Sequence, residues 1–148
     1  MAKSWRVRPQ DDFRAWETLG AYCHYLVENG VCESMSDAKR RASRVIKKEH
    51  HYQKKILEML RAEFPEGRWR KNAAGIGQAS GEPDVDGVLN GRFIAIECKR
   101  PLIYRESELQ RKAVREINEA GGLAMFATYP DEVYEAIICY MGTEGNNE

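Results

Sequence analysis

The sequence predicts one three-layer α/β domain, a mixed sheet flanked by helices, with a helical extension ahead of it. Three observations predict it. Apolar residues recur at helical spacing before Pro65; the period shortens to that of strands after it; and Asn90-Gly91 joins two alternating segments as a hairpin. The order that results is helices, strand, hairpin, helix, strand, helix. A length of 148 residues suits one domain of this kind.

The first helix is expected from Asp11 and Asp12, acids that favour a first turn, through Phe13, Trp16, Leu19 and the apolar run 22–26. Gly20 weakens that pattern locally, and Asn29-Gly30 is its stop. Ser36 offers the next N-cap, and a long helical stretch runs from there to Phe64, with a break expected near 48–50. Residues 68–72 read as a short strand and 73–81, rich in Gly and Ala, as a loop. Segments 84–89 and 92–99 are the arms of the hairpin, because Asn-Gly accepts the positive φ angles of a type I′ turn. Ser107 opens a helix to Ala120, stopped by Gly121-Gly122. Residues 123–128 form a buried strand and 131–140 a closing helix, and the polar tail from Gly142 is expected to fray. The expected division is a helical extension at 1–45, a principal domain at 46–141 and a flexible tail at 142–148.

Composition narrows the function classes. Hydrophobic residues make up 43% and charged residues 31%, the balance of a soluble globular chain. No apolar stretch is long enough to cross a bilayer, and no apolar run follows the first residues, so a cytoplasmic location is expected. Cys23, Cys32, Cys98 and Cys139 form no CxxC pair, which excludes a zinc cradle and a dense disulfide framework. The zero net charge conceals an asymmetry: residues 37–71 hold twelve Lys/Arg against five acids, a local net of +7. Either this is a solvated surface or it is a face for a polyanion, since binding depends on local rather than global charge.

The chemistry concentrates on the hairpin. Glu97 and Lys99 are two residues apart on its second arm and share a face, while Ile94, Ile96 and Cys98 form the apolar opposite face. Phe93 and Ala95 make the first face partly buried as well, where unpaired charges are costly. An ordinary cross-strand ion pair is one explanation. Asp84, fixed by the preceding Pro83, supplies another. With Asn90-Gly91 at the turn, paired residues sum to 181, which sets Asp84 opposite Glu97 with β-carbons about 4.5–5.5 Å apart. Two like charges there repel unless a cation lies between them, and oxygen ligands suit Mg²⁺ or Mn²⁺. Glu49 interrupts the apolar stripe of Val45, Tyr52, Ile56 and Leu60 on the long helix, and Gln53 follows it at i+4. Glu49 is either a third acid of the site or a salt-bridge partner of neighbouring lysines. His50 and His51 lack the spacing of a metal-binding pair.

Pro83-Asp84, twelve intervening residues and Glu97-Cys98-Lys99 resemble the signature of the PD-(D/E)xK nuclease superfamily. Glu49 with Gln53, Gly81-x-Pro83-Asp84, Gly91 in the hairpin, Glu97-x-Lys99, Gln110 and Ala120-Gly121-Gly122 are similar, in order, to its VRR-NUC branch. The resemblance spans about residues 48–138 and implies a restriction-endonuclease-like αβββαβ core that hydrolyses phosphodiester bonds in DNA with Mg²⁺ or Mn²⁺. It implies that Asp84, Glu97 and the Cys98 backbone carbonyl hold the metal, with Glu49 completing its coordination or serving a second ion. Lys99 would activate water and offset charge on the transition state, and Gln110 would join the catalytic set. Gln110 also fits a capping box with Ser107. Cys98 stands where the family carries an aliphatic residue, and residues 1–45 match nothing in it.

Given that resemblance, Lys47, Lys48, Gln53, Lys54, Arg70, Lys71, Arg100, Arg105 and Arg111 are candidate nucleic-acid contacts forming a cationic rim around the acidic centre. No helix carries a cluster suited to base readout, which favours structure-selective cleavage over sequence-specific restriction. Stand-alone VRR-NUC proteins of phages and bacteria resemble Holliday-junction resolvases, so branched DNA in a bacterial or phage-infected cell is the implied substrate and a homodimer the implied form. A restriction-type or nicking nuclease on duplex DNA, or an inactive DNA-binding module, are the alternatives.

Overall fold

The computed structural model describes residues 3–72 and 82–145, the last three by backbone alone. A 3₁₀ turn, Pro9–Asp11, is followed by α1 (Leu19–Glu28), α2 (Met35–Val45), α3 (Glu49–Glu63), β1 (Arg68–Lys71), β2 (Val85–Leu89), β3 (Arg92–Cys98), α4 (Glu108–Glu119), β4 (Leu123–Ala127) and α5 (Pro130–Gly145). The four strands form a mixed sheet in the order β1-β2-β3-β4, with β3 and β4 parallel and the other pairs antiparallel. The chain is thus a mixed α/β protein whose sheet is flanked by helices, and from α3 to β4 its elements run helix, three strands, helix, strand. Among the described residues no helix is long and apolar enough to cross a membrane.

Local chemistry accounts for the element ends, and it moves several of the expected ones. The opening helix starts at Leu19 rather than Asp11, because the Thr18 hydroxyl accepts the Ala21 N–H and so caps it there. Phe13 and Trp16 lie ahead of the helix and pack edge-on against Tyr22, contacts that imitate helical spacing. The next cap is Ser34, not Ser36: its hydroxyl accepts the Asp37 N–H. The long helical stretch is two helices, parted at residues 46–48. Ser107 and Gln110 form the full capping box at α4. The closing helix extends through Gly145, past the point where fraying was expected. The expected loop at 73–81 lies outside the described residues.

The hairpin carries the predicted geometry. Asn90 and Gly91 have φ of 50° and 79°, as a type I′ turn requires, and Val85 pairs with Ile96 and Leu89 with Arg92. Each pair sums to 181, the expected register.

One core lies between the sheet and the helices α3 and α5, where Ile56, Met59 and Leu60 meet Val85, Ile94, Ile96, Cys98, Val133 and Ile137. Trp5 joins this core from the N-terminal segment, stacking on Tyr134 at 6.1 Å. A second core gathers Phe13, Tyr22, Cys23 and Leu26 with Ala38, Ala42 and Ile46, and Leu102 and Ile103 pack on it from the segment after β3. The N-terminal helices therefore have their own apolar centre and are tied to the principal one at both ends. α4 packs on β3 and β4 and has no fully buried residue.

Gly87 marks the tightest approach in the sheet. A Cβ there would stand 2.4 Å from the Arg68 carbonyl oxygen and 2.4 Å from the Trp69 ring, and Trp69 is pinned by its indole N–H donating to the Phe64 carbonyl. Neither neighbour is the free end of a flexible side chain. Gly87→Ala is expected to cost about 2–3 kcal/mol, as overpacking does, read as a fall in the urea midpoint at unchanged m-value. An unchanged midpoint would mean that Trp69 can move off the sheet.

Candidate functional site

The site forms where the far end of the hairpin meets the first turns of α3 and α4. Alternation along β3 sends Ile94, Ile96 and Cys98 into the apolar core and leaves Ala95, Glu97 and Lys99 on the other face. Glu97 and Lys99 are nevertheless buried, at 5% and 6% exposure. Lys99 extends the β3–β4 pairing by donating its backbone N–H to the Ala127 carbonyl at 2.9 Å, which fixes the direction of its side chain. Its ammonium lies 5.6 Å from the Phe126 ring centroid and donates to Gln110 Oε1 at 2.7 Å.

Gln110 closes the expected capping box and also touches both Lys99 and Glu97. Its Oε1 accepts the Ser107 backbone N–H at 3.0 Å, closing the capping box, and the same oxygen accepts from Lys99. Its amide donates to Glu97 Oε1 at 2.8 Å. One side chain thus ties the start of α4 to Glu97 near the end of β3 and to Lys99 just beyond it, so the cap and the site are a single hydrogen-bonded unit.

Asp84 sits one residue before β2, half-buried, and its Oδ2 accepts the Cys98 backbone N–H at 2.8 Å. Asp84 and Glu97 are hydrogen-bond partners as well as like charges. Glu97 is pushed up to about 8, first by burial, then by the charge and hydrogen bond of Asp84, with Lys99 opposing the shift and Glu49 adding to it. Glu49, at the first position of α3, is raised too, chiefly by burial and by Asp84. Three carboxyls therefore feel one another, and burial first, then the neighbouring negative charge, disfavours ionisation of Glu97 and Glu49.

Among the described residues no group of three or more His, Cys, Asp and Glu side chains is gathered closely enough to hold an ion. Glu49 belongs to the same electrostatic neighbourhood but does not complete a three-carboxylate cluster. Asp84 and Glu97 alone are the close pair. Their mutual repulsion in a buried setting is the condition a hard divalent cation relieves, and Mg²⁺ commonly takes one or two carboxylates with water filling its remaining positions. The donor set fits such an ion. The Cys98 thiol is wholly buried in the apolar core and held well above its ordinary range by that burial, so only the backbone of Cys98 is available to the site.

Two residues of this neighbourhood escaped the sequence reading. Asp86, 4% exposed, lies on the same face as Asp84, two pairs along the hairpin. It accepts from Arg70 Nε at 2.8 Å and from the Asn72 amide at 2.9 Å. Asn72 also donates through its amide to the Pro83 carbonyl at 2.6 Å and through its backbone to the Asp84 carbonyl at 2.8 Å. Together they hold the Pro83-Asp84 corner against β1. Asp84-x-Asp86 at strand spacing was the available signal. Gly81, which precedes this corner in sequence, lies outside the described residues.

The expected cationic rim divides. Lys47, Lys48, Lys54, Lys71 and Arg105 are exposed. Gln53 is not a surface contact: it is buried, and its amide donates to Glu49 Oε1 at 3.1 Å, because helical i+4 spacing turns it inward along with the acid. Arg70 is engaged by Asp86, and Arg111 reaches the Glu106 carbonyl at 3.3 Å. Arg100 donates to the carbonyls of Ile46 and Lys47, both at 3.0 Å, so that it closes the C-terminal end of α2 onto the strand bearing Lys99.

Compared with known proteins, the chain matches no protein-family model, no curated protein and no solved structure.

Proposed function

We propose that the protein is a metal-dependent DNA endonuclease of the PD-(D/E)xK type, VRR-NUC-like, that hydrolyses phosphodiester bonds in branched or otherwise structured DNA. The observation that carries this reading is the buried convergence of Asp84 and Glu97 from neighbouring hairpin arms, with Lys99 on the same face and Gln110 joining Lys99 to Glu97. The element order from α3 to β4 supports it as well.

In this reading Asp84, Glu97 and the Cys98 carbonyl would hold Mg²⁺ or Mn²⁺, which would supply Lewis-acid chemistry at a phosphodiester. Lys99 places a point charge where negative charge develops, and Gln110 aims it. Glu49 takes part through the field it adds and Gln53 orients Glu49. Exposed lysines around the pocket contact phosphates without reading bases, which supports selection by shape over sequence-specific restriction. A four-way junction requires two cuts, which is the argument for a homodimer.

The test is incubation of end-labelled four-way junction, flap and linear duplex with the full chain, in Mg²⁺ and in chelator. Cleavage of the branched substrates in Mg²⁺ alone is the expected result. Equal cleavage of linear duplex would favour the restriction-type or nicking alternative. Firm binding with every substrate intact would leave a binding module.

A further inference from the structure

We propose that the groove between α2 and the 3₁₀ turn Pro9–Asp11 is a second phosphate-backbone site, through which the N-terminal helices grip DNA outside the catalytic pocket. This rests on the DNA-cleaving reading for the identity of the polyanion, but, apart from Lys47, on residues outside the rim of the acidic centre.

The groove, about 530 Å³, collects Arg8, Arg41, Arg44 and Lys47 over a floor that includes Tyr22 and Asp11. Asp11 is the acid in this lining, and Arg8 takes it up through Nε at 3.1 Å and Nη2 at 3.0 Å. That leaves Arg41, Arg44 and Lys47, all exposed, with no side-chain ion pair or hydrogen bond among the described residues. α2 has the apolar anchors Ala38 and Ala42 on its inner side, so the spacing of Arg41 and Arg44 at i and i+3 places both on the line that borders the groove. One cation in the last turn satisfies a helix dipole. Three unneutralised cations in a single hollow exceed that need and repel one another, an arrangement that a bound polyanion relieves by releasing its counterions.

The position of the groove selects DNA over another acidic partner. Lys47 is two residues ahead of Glu49, and its carbonyl is held by Arg100, the residue after Lys99. Lys47 thus borders the groove and the segment leading to Glu49, which favours a nucleic-acid backbone running from one toward the other. The groove also gives the helices of residues 1–45 a task that the nuclease resemblance leaves undefined.

The experiment measures binding of a short duplex and a four-way junction to the full chain in chelator, by fluorescence anisotropy across a salt series. In the double variant Arg41→Gln, Arg44→Gln the slope of log K against log salt is expected to shallow by about 2, close to 0.9 per lost phosphate contact, with affinity at least about tenfold weaker near 0.1 M salt. The pair Arg41→Lys, Arg44→Lys keeps the wild-type slope and controls for folding. An unchanged slope in the glutamine variant overturns the groove assignment even if the protein cuts DNA. Groove-dependent binding by a wild-type protein that never cuts would sink the nuclease reading and leave the groove standing. Wild-type protein that binds no DNA ends both, and an acidic peptide that competes for Arg41 and Arg44 in its place would name a different partner.

Discussion

On the proposed function, Lys99→Ala is expected to slow DNA cleavage by about 10²–10³ at saturating Mg²⁺, the loss of one preorganised charge at a developing oxyanion, and Asp84→Ala to slow it at least as much. Both variants still bind DNA, because neither residue belongs to the exposed cations that meet the backbone. Lys99 is 6% exposed, and its ammonium is held by Gln110 beside the ring of Phe126. A charge placed in so dry a setting acts far more strongly than one in water and needs no reorientation as the phosphorane forms. Lys99→Arg does not restore activity, since a planar guanidinium cannot occupy a pocket built for a compact ammonium. Single-turnover rates decide the matter, with melting curves to confirm that each variant folds. A loss of threefold or less for Lys99→Ala would reduce Lys99 to a packing residue for Gln110 and remove the chemistry from the site.

The part of this site visible in the sequence is the part set by strand arithmetic. Asn90-Gly91 fixes the turn, the turn fixes the register, and the register brings Asp84 to Glu97. Gln110 was visible as a capping box and, through the resemblance, as a site candidate, and the cap does not prevent contact with Lys99 because one oxygen accepts from both the Ser107 backbone and the Lys99 ammonium. What stayed hidden depends on contacts distant in sequence. Asn72 and Arg70 reach Asp86 only because β1 lies beside β2. Thr18 and Ser34 prevail over Asp11 and Ser36 as starting points because their hydroxyls meet a free N–H, whereas the aromatic residues ahead of Thr18 are drawn into the second core. Gln53 looked like a nucleic-acid contact because it follows Glu49 on a line adjacent to the apolar stripe, and only the docking of α3 shows that line to be buried as well. Arg100 looked like a phosphate ligand, and its ties to Ile46 and Lys47 come from a helix whose path the sequence leaves open.

If the proposed cation site exists, Mg²⁺ is expected to raise the melting temperature of the wild-type protein, and Asp84→Asn to abolish that response. The metal-free pocket stores the unfavourable energy: Glu97 stays protonated well above the ordinary carboxylate range because burial and Asp84 both oppose its charge. A cation that binds the folded chain alone, supplied at a hundredfold above its dissociation constant, stabilises it by about 2.7 kcal/mol. At this chain length that corresponds to roughly 5–10 °C. Asp84→Asn removes one charge while keeping an oxygen able to accept the Cys98 N–H, so the metal-free variant is expected to melt higher than metal-free wild type. The gain is that Glu97 no longer has its ionisation opposed by a charged Asp84, and the cost is the ion site. Scanning calorimetry of both proteins in chelator and in Mg²⁺ reads the four values directly. The signature sought is a crossing: the variant above wild type without metal, and wild type above or level with it in Mg²⁺. Parallel behaviour of the two proteins, each indifferent to Mg²⁺, would mean that Asp84 and Glu97 share a proton for structural reasons and that no cation belongs between them.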